Sequence, residues 1–296
     1  MVSSRILRHV LNSIQSLPVP PVYLFLGDRA QQSPLDSVDG ITTTTTNIFT
    51  CTDLIKNCDR FVLHQQHRIL DPCLGQLLDI MRHSYINSEQ IAMINSRCKF
   101  DEPVSPRSII STLNDNPDTT FVTITRKGSR FVNSVIMDYL FGDQPVMCTV
   151  PGEGLVNVDL YENLPVLITH NVNKHHGIVN GAEATIVSFH NDLIFIRLMN
   201  GSCHFLYPLT YDETGEEYFP IIPNYCLTIF KVQGKTLDNI SVWLDRSHPT
   251  PGAAYVAFSR VHHLEDINLL EPINRFQVTP IKTSRDENLL SEEIEE

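Results

Sequence analysis

The sequence predicts an α/β protein: a parallel sheet with crossover helices, interrupted by a run of small antiparallel strands. Three observations predict it. Candidate strands such as the continuous apolar run 22–26 (VYLFL) and residues 121–125 (FVTIT) precede or accompany helical spacings, and such alternation builds a parallel sheet covered on its faces. From about residue 146 the texture changes to short strands with no helix between them, punctuated by Asn180-Gly181, Asn191-Asp192 and Asn200-Gly201. These pairs tolerate the left-handed backbone that tight hairpins require. Helix and strand then alternate again beyond residue 223.

Residues 4–16 carry an amphipathic pattern closed by Pro18, Pro20 and Pro21. The acid-free opening also resembles a mitochondrial presequence, but a surface helix packing its apolar stripe on a core is preferred. The apolar run 22–26 ends in Gly27-Asp28, with Gln31 just beyond, and the threonine-rich stretch 36–46 reads as a surface loop. Residues 61–63 form a second candidate strand, before the polar run ending in Arg68. Over 70–82, Leu74, Leu77, Leu78 and Met81 recur at helical spacing. The proline-rich segment 99–120 reads mostly as loop. A third strand at 121–125 and a helix at 131–140 follow. Short strands are expected at 156–158, 165–170, 184–189, 193–198 and 203–207. The last expected elements are strands at 225–230, 240–244 and 267–270, and a helix at 252–260.

Composition limits the function classes. The chain has 296 residues, 42% hydrophobic and 19% charged, enough for a sizeable core. No apolar run approaches the roughly 18 residues of a membrane span. The net charge of −12 opposes a surface that grips nucleic acid strongly by itself. The acidic end, residues 285–296, supplies −5 of it and reads as a solvated, flexible tail, which leaves −7 elsewhere. Seven cysteines are spread singly with no Cys-x-x-Cys pair, as expected of reduced thiols in an intracellular protein. The adjacent pairs His175-His176 and His262-His263 point their side chains apart, so no metal site is expected.

Three positions suit phosphoryl chemistry, which needs charge neutralisation at a terminal phosphate and a means of sensing its loss. Gln31 follows an apolar strand and can hydrogen-bond a phosphate or attacking water. Arg68 follows another. Arg260 lies on a helix of small and apolar neighbours. Arginine suits phosphate because its planar fork donates two parallel bonds and never loses its charge. Each alone is ordinarily a surface or ion-paired residue; their order and context together favour the phosphate reading.

In that order, the chain resembles the later part, from motif III onward, of the PIF-type, RecD-like helicases of superfamily 1B, including those of Helitron-type transposons. Residues 26–31 (LGDRAQ) are similar to motif III, with one proline kept where the family has Leu-Pro-Pro. Residues 63–68 (LHQQHR) resemble motif IV, and 121–133 the strand-turn-helix with a Thr-Asn-Lys turn, Arg126 replacing asparagine. Residues 227–238 (LTIFKVQGKTLD) resemble motif V, with Phe230 for histidine and Val232 for serine. Residues 255–261 (YVAFSRV) resemble motif VI, with Phe258 for leucine.

The resemblance implies a RecA-like second domain (2A) at 51–145 and 223–275, an inserted SH3-like 2B module at 146–222, and a remnant of the first RecA-like domain at 1–50. The tail occupies 276–296. It implies ATP and Mg2+ as cofactors, Arg260 as arginine finger, and Gln31, Arg68 and Gly234 beside it on the nucleotide. Thr228, Lys231, Gln233 and Thr236 would contact single-stranded DNA, unwound 5′ to 3′, in repair or recombination. The nucleus, or else the mitochondrion, would be the compartment.

No glycine-rich phosphate loop ending Gly-Lys-Ser/Thr occurs before residue 227. Met1-Val2-Ser3-Ser4 is similar to the Ser-Met-Val-Ser that follows the Asp-Glu of motif II, so the phosphate loop and Mg2+-binding carboxylate are expected upstream of Met1. Residues 22–28, an apolar strand ending in Asp, could pass for Walker B, but Gln31 makes motif III the better fit. The expectation is therefore the C-terminal portion of an ATP-dependent DNA helicase, inactive by itself, with the missing N-terminal domain in trans as a partner that would complete it. The alternative is a non-catalytic nucleic-acid-binding or helicase-docking module.

Overall fold

The computed structural model describes residues 67–246, 248 and 250–280, together with residue 12 and the backbone of 35–38 and 41–44. The expected helix at 4–16, apart from residue 12, the strands at 22–26 and 61–63, and Gln31 lie outside the described residues. The chain divides into two compact units, residues 97–245 with 267–272, and residues 1–96 with 246–266 and 273–296.

The first of these contains both predicted textures. Its parallel sheet has the order β13-β3-β14-β15, with β3 at Thr120–Thr123, β13 at Cys226–Thr228, β14 at Ile240–Trp243 and β15 at Ile267–Leu269. All three pairings are parallel. Phe121, Val122, Cys226, Leu227, Ile240 and Val242 are buried, as expected of strands covered on both faces. The crossover after β3 begins with helix α4 (Arg126–Phe141), whose buried stripe includes Val132, Ile136 and Met137. Thr125 caps its N-terminus by accepting from the Gly128 N–H at 2.9 Å.

Segment 99–120 is not mostly loop, as expected from its prolines. Helix α3 runs over Pro106–Asp115. Its signals are local: Ser105 and Ser108 form a reciprocal capping box, Pro106 stands at the first turn, and Ile109 and Leu113 fall on one buried face.

Between α4 and β13 in sequence come the antiparallel strands. Strands β4 (Cys148–Pro151) and β5 (Asn157–Leu160) pair as a hairpin. A five-stranded sheet then has the order β12-β6-β7-β8-β9, over Pro165–Ile168 (β6), Glu183–His190 (β7), Leu193–Leu198 (β8), Cys203–Leu206 (β9) and Ile221–Pro223 (β12). A short pair, β10 (Leu209–Thr210) with β11 (Glu217–Tyr218), forms a separate two-stranded sheet. The β7–β8 turn is Asn191-Asp192, with φ of 50° and 58°, the left-handed pair of a two-residue hairpin. Leu160, Val166, Ile168, Ile186, Ile194, Ile196 and Leu206 form the core of this region.

In the other unit, α1 (Pro72–His83) buries Leu74, Leu77, Leu78 and Met81, the four positions its spacing predicts. It packs on α6 (Ala253–Phe258), and Arg82 Nη1 donates to the Tyr255 hydroxyl at 3.2 Å. Helix α2 (Ser88–Asn95) has its own capping box, from Asn87 and Gln90.

The stretch 36–46 is another departure, because most of it pairs rather than looping. β1 (Leu35–Val38) and β2 (Ile41–Thr44) are antiparallel, with Val38 opposite Ile41. That register leaves two residues between the strands, Asp39-Gly40 in the sequence. Asp-Gly flanked by β-branched residues is a hairpin signal that the threonine run obscured.

Candidate functional site: two arginines and a motif V-like loop

The two described γ-phosphate candidates, Arg68 and Arg260, lie in one unit and converge on one residue. Arg68 Nη1 donates to the Ser259 carbonyl at 3.2 Å, and Arg260 Nη2 donates to the Ser259 hydroxyl at 2.7 Å. Arg260 is 1% exposed, and its Nε donates to the Val256 carbonyl one turn back at 2.9 Å. All six residues of α6 are buried, so the helix fixes where that guanidinium sits.

Arg68 is placed by backbone rather than by a regular element. Its carbonyl lies 2.6 Å from His262 Nδ1, and the Leu70 and Asp71 N–H groups donate to the His262 carbonyl at 3.1 and 3.3 Å. Asp71 Oδ2 accepts the Leu264 N–H at 3.0 Å, while Oδ1 accepts the Cys73 N–H at 2.8 Å and so caps α1. The Leu264 bond is the main cause holding the Asp71 carboxyl below its ordinary value. Burial opposes it; the Cys73 and Leu74 N–H groups and His263 add to it. Segment 68–71 is thus tied to segment 259–264 at several points, although they are far apart in sequence. Both guanidiniums are thereby held in fixed positions, at the carbonyl and the hydroxyl of one residue.

The four expected DNA-contacting residues stand in the other unit, on and after β13. The strand expected over 225–230 stops at Thr228 and turns into a single-turn helix, α5 (Ile229–Val232). Thr228 is its N-cap without a side-chain cap bond, and Gln233 closes it. Gly234 has φ of 87°, a backbone that favours glycine, and the Lys235 N–H returns to the Val232 carbonyl at 3.0 Å. Thr236 is exposed. Lys231 Nζ lies 3.5 Å from Glu153 Oε2, and Lys235 Nζ 2.7 Å from Glu183 Oε1. A cavity of about 510 Å³ next to this loop is lined by Gly181, Glu183, Met199, Lys235 and Thr236, among others.

Behind the loop, Asn133 on α4 clamps the backbone of β13. Its Nδ2 donates to the Cys226 carbonyl and its Oδ1 accepts the Cys226 N–H, both at 2.9 Å. Burial pushes the Cys226 thiol up to about 12, against smaller opposing hydrogen bonds from Ser129 and Thr123. Sequence reasoning missed Glu153 and Glu183 as partners of the basic residues. It also missed Asp245, whose Oδ1 accepts the Ile124 and Thr125 N–H groups at 2.8 and 3.0 Å and whose Oδ2 accepts the Thr125 hydroxyl. None of the three belongs to a quoted motif. His176 faces His204, ring centroids 4.9 Å apart, rather than its neighbour His175. Among the described residues no group of three or more His, Cys, Asp or Glu side chains could hold a metal ion, and no helix is long and apolar enough to cross a membrane.

No protein-family model matches the chain. Over 144 residues it is 26% identical to the ATP-dependent DNA helicase PIF1 of Xenopus laevis, a match covering 45% of this chain and 22% of that protein. Over 101 residues it is 35% identical to the ATP-dependent DNA helicase Pif1 of Bdellovibrio bacteriovorus, covering 31% and 23%. Among solved structures, one of two coordinating Pif1 helicases at forked double-stranded DNA superposes with a TM-score of 0.60 at 19% identity, covering 78% of this chain and 54% of that one. Pif1 from Bacteroides in complex with ADP-AlF3 and single-stranded DNA gives 0.57 at 19% identity, covering 78% and 56%. Pif1 from Candida albicans gives 0.56 at 18% identity, covering 76% and 58%. The chain therefore resembles Pif1 helicases over most of its length and shares their mixed α/β fold with a parallel sheet. It spans about half the length of the solved structures and about a fifth of the curated relatives.

Proposed function

We propose that these residues form the later part of an ATP-dependent DNA helicase, supplying γ-phosphate contacts and part of a single-stranded DNA path. The convergence of Arg68 and Arg260 on Ser259 carries this reading. Two cations held at fixed positions, one of them buried, fit a terminal phosphate. Arg260 would stabilise its transition state as arginine finger, with Gln31, from motif III, and Gly234 on the same nucleotide. When bound, ATP with Mg2+ supplies the phosphoryl group and neutralises its charge. The residues of this chain would hold that group and sense its loss.

Thr228, Lys231, Gln233 and Thr236 would contact the DNA strand, moving it 5′ to 3′. The antiparallel strands within 146–222 would be the inserted SH3-like 2B module, and residues 1–50 the remnant of the first RecA-like domain. Such a protein works where DNA is kept, the nucleus or the mitochondrion, in repair or recombination.

The 296 residues contain no complete Gly-x-x-x-x-Gly-Lys-Ser/Thr phosphate loop, since Ile229 stands where Gly234-Lys235-Thr236 would need its first glycine. They should therefore bind single-stranded DNA without hydrolysing ATP, unless a phosphate-loop domain is supplied in trans. A phosphate-release assay with single-stranded DNA tests this directly. Background rates are expected, and robust turnover by the 296-residue chain would refute it.

A second reading, a non-catalytic nucleic-acid-binding or helicase-docking module, draws on one observation. The Arg260 guanidinium is engaged by its own helix and by Ser259, which suits a structural role. Stimulation of hydrolysis in a phosphate-loop domain on adding this chain, lost in Arg260→Ala, would decide for the helicase reading.

A further inference from the structure

The turn between β4 and β5 presents Glu153 to cations from two separate elements. Its carboxylate lies 3.5 Å from Lys231 Nζ at the end of α5 and 3.8 Å from Arg126 Nη2 at the start of α4. Arg130, one helical turn past Arg126, approaches the same turn. A Cβ built on Gly154 would stand 3.5 Å from its Nη2. Two cations therefore meet one carboxylate, with a third beside the same turn, on a chain whose net charge is −12.

The turn itself is rigidly held. The Gly152 N–H donates to the Val156 carbonyl at 2.8 Å, the Glu153 N–H to the Ile221 carbonyl at 3.2 Å, and the Leu155 N–H to the Gly152 carbonyl at 3.0 Å. The Gly154 N–H donates to the Tyr211 hydroxyl at 2.9 Å. A Cβ at Gly152 would come within 2.9 Å of Val158 Cγ2 and 3.0 Å of the Ile221 carbonyl oxygen, so only glycine lets the turn sit this close. Glu153 is thus delivered to its place by backbone, whereas Arg126 has a side chain 72% exposed and free to swing.

We propose that Glu153 is a resident competitor for backbone phosphate. In the free protein it neutralises Lys231 and engages Arg126, and an incoming single strand exchanges a phosphate for it, freeing Lys231 and Arg126 to bind the strand beside Arg130. This rests on the nucleic-acid reading of the motif V-like loop. It also accounts for how an acidic chain keeps a local basic patch without gripping every polyanion it meets. A carboxylate already in place weakens each phosphate contact and raises the selectivity for strands that make several at once.

The test is fluorescence anisotropy of a labelled oligothymidylate between about 50 and 200 mM salt. Glu153→Gln is isosteric and should bind roughly two- to fivefold tighter than wild type at low salt, the range of a partly exposed ion pair. Its log K against log salt should be steeper, because Lys231 then releases a counterion. Adding Lys231→Gln should abolish the gain. Glu162→Gln, which removes an exposed acid and the same charge, should give a clearly smaller effect. Glu153→Asp, which keeps the charge but draws it back by one methylene, should give a smaller gain than Glu153→Gln, and coincident urea unfolding of both variants with wild type guards against a fold defect in either. Wild-type binding with Glu153→Gln unchanged or weaker overturns the proposal and leaves the nucleic-acid reading standing. So does an equal gain from Glu162→Gln. Absence of binding by every variant and by wild type overturns the nucleic-acid reading, and the proposal with it.

Discussion

Arg68 and Arg260 share Ser259, one through its carbonyl at 3.2 Å and the other through its hydroxyl at 2.7 Å. The arrangement makes the two guanidiniums one unit rather than two independent charges. Segment 68–71 brings one, and the end of α6 the other. Moving either segment should move the pair, as the proposed phosphate-sensing role requires.

The first prediction concerns rate. With a phosphate-loop domain supplied in trans, Arg260→Ala should lower ATP turnover by about 10³-fold or more, the usual worth of an arginine finger. Arg68→Ala should lower it less, because Arg68 is only partly buried whereas Arg260, just beyond α6, is 1% exposed. Binding of single-stranded DNA without nucleotide should be unchanged in both. A steady-state ATPase titration beside an anisotropy titration separates the two effects.

Asn133 should matter for stability out of proportion to its size. It is 5% exposed and satisfies both the N–H and the carbonyl of Cys226. Asn133→Ala leaves both backbone groups unpaired in a buried place, at about 1–3 kcal/mol each before relaxation. A loss of about 2–4 kcal/mol in urea unfolding is expected. A loss under 1 kcal/mol would mean that water replaces the amide.

Much of this was legible in the sequence where the signal is local. The stripe Leu74, Leu77, Leu78 and Met81 predicts α1, and Asn191-Asp192 predicts its hairpin. Helix α3 was obscured because prolines were counted as breakers, although Pro106 stands at a first turn, where its missing N–H costs nothing. The β1–β2 hairpin was obscured because threonine lacks a polar/apolar alternation, while its β-branching still favours extended backbone. The convergence of Arg68 on Ser259 spans 191 positions and the Asp245 cap on Thr125 spans 120. No periodicity reports contacts at that separation. Only the tertiary fold brings them together.

Asp71 should make acid stability depend on one side chain. Its carboxyl is held below the ordinary carboxylate value, chiefly by the Leu264 N–H. A depressed folded value means that the stabilisation is complete above the unfolded aspartate value of about 3.9 and is lost as pH falls through the lower folded value. Asp71→Asn should therefore be less stable than wild type at neutral pH. The two thermal midpoints should draw together below about pH 4. Parallel midpoints across the acid range would show that the charge contributes nothing.

Thiol reactivity should sort by burial. Cys226 is buried and its thiol is pushed up to about 12, so hardly any thiolate exists at pH 8. Cys73 and Cys203 are exposed. Brief iodoacetamide treatment of the native protein, read by peptide mapping, should label Cys73 and Cys203 and leave Cys226 unmodified. Labelling of Cys226 at a comparable rate would indicate that β13 opens readily, which would also undercut the clamp assigned to Asn133.

The β7–β8 turn provides a stabilising change. Asn191 and Asp192 both hold positive φ, at 50° and 58°, and a two-residue turn of this kind prefers Asn followed by glycine. Asparagine tolerates the first position. Aspartate at the second bears a steric cost that glycine avoids, partly offset by the extra freedom glycine has when unfolded. Asp192→Gly should therefore raise stability by a net of about 0.5 kcal/mol. That is close to the resolution of a denaturant titration, so the amide exchange rates of β7 and β8 are the better measure. Slower exchange across Ile186, Ile194 and Ile196 is the expected result. Faster exchange would mean that the Asp192 carboxylate contributes more to the turn than its backbone strain removes.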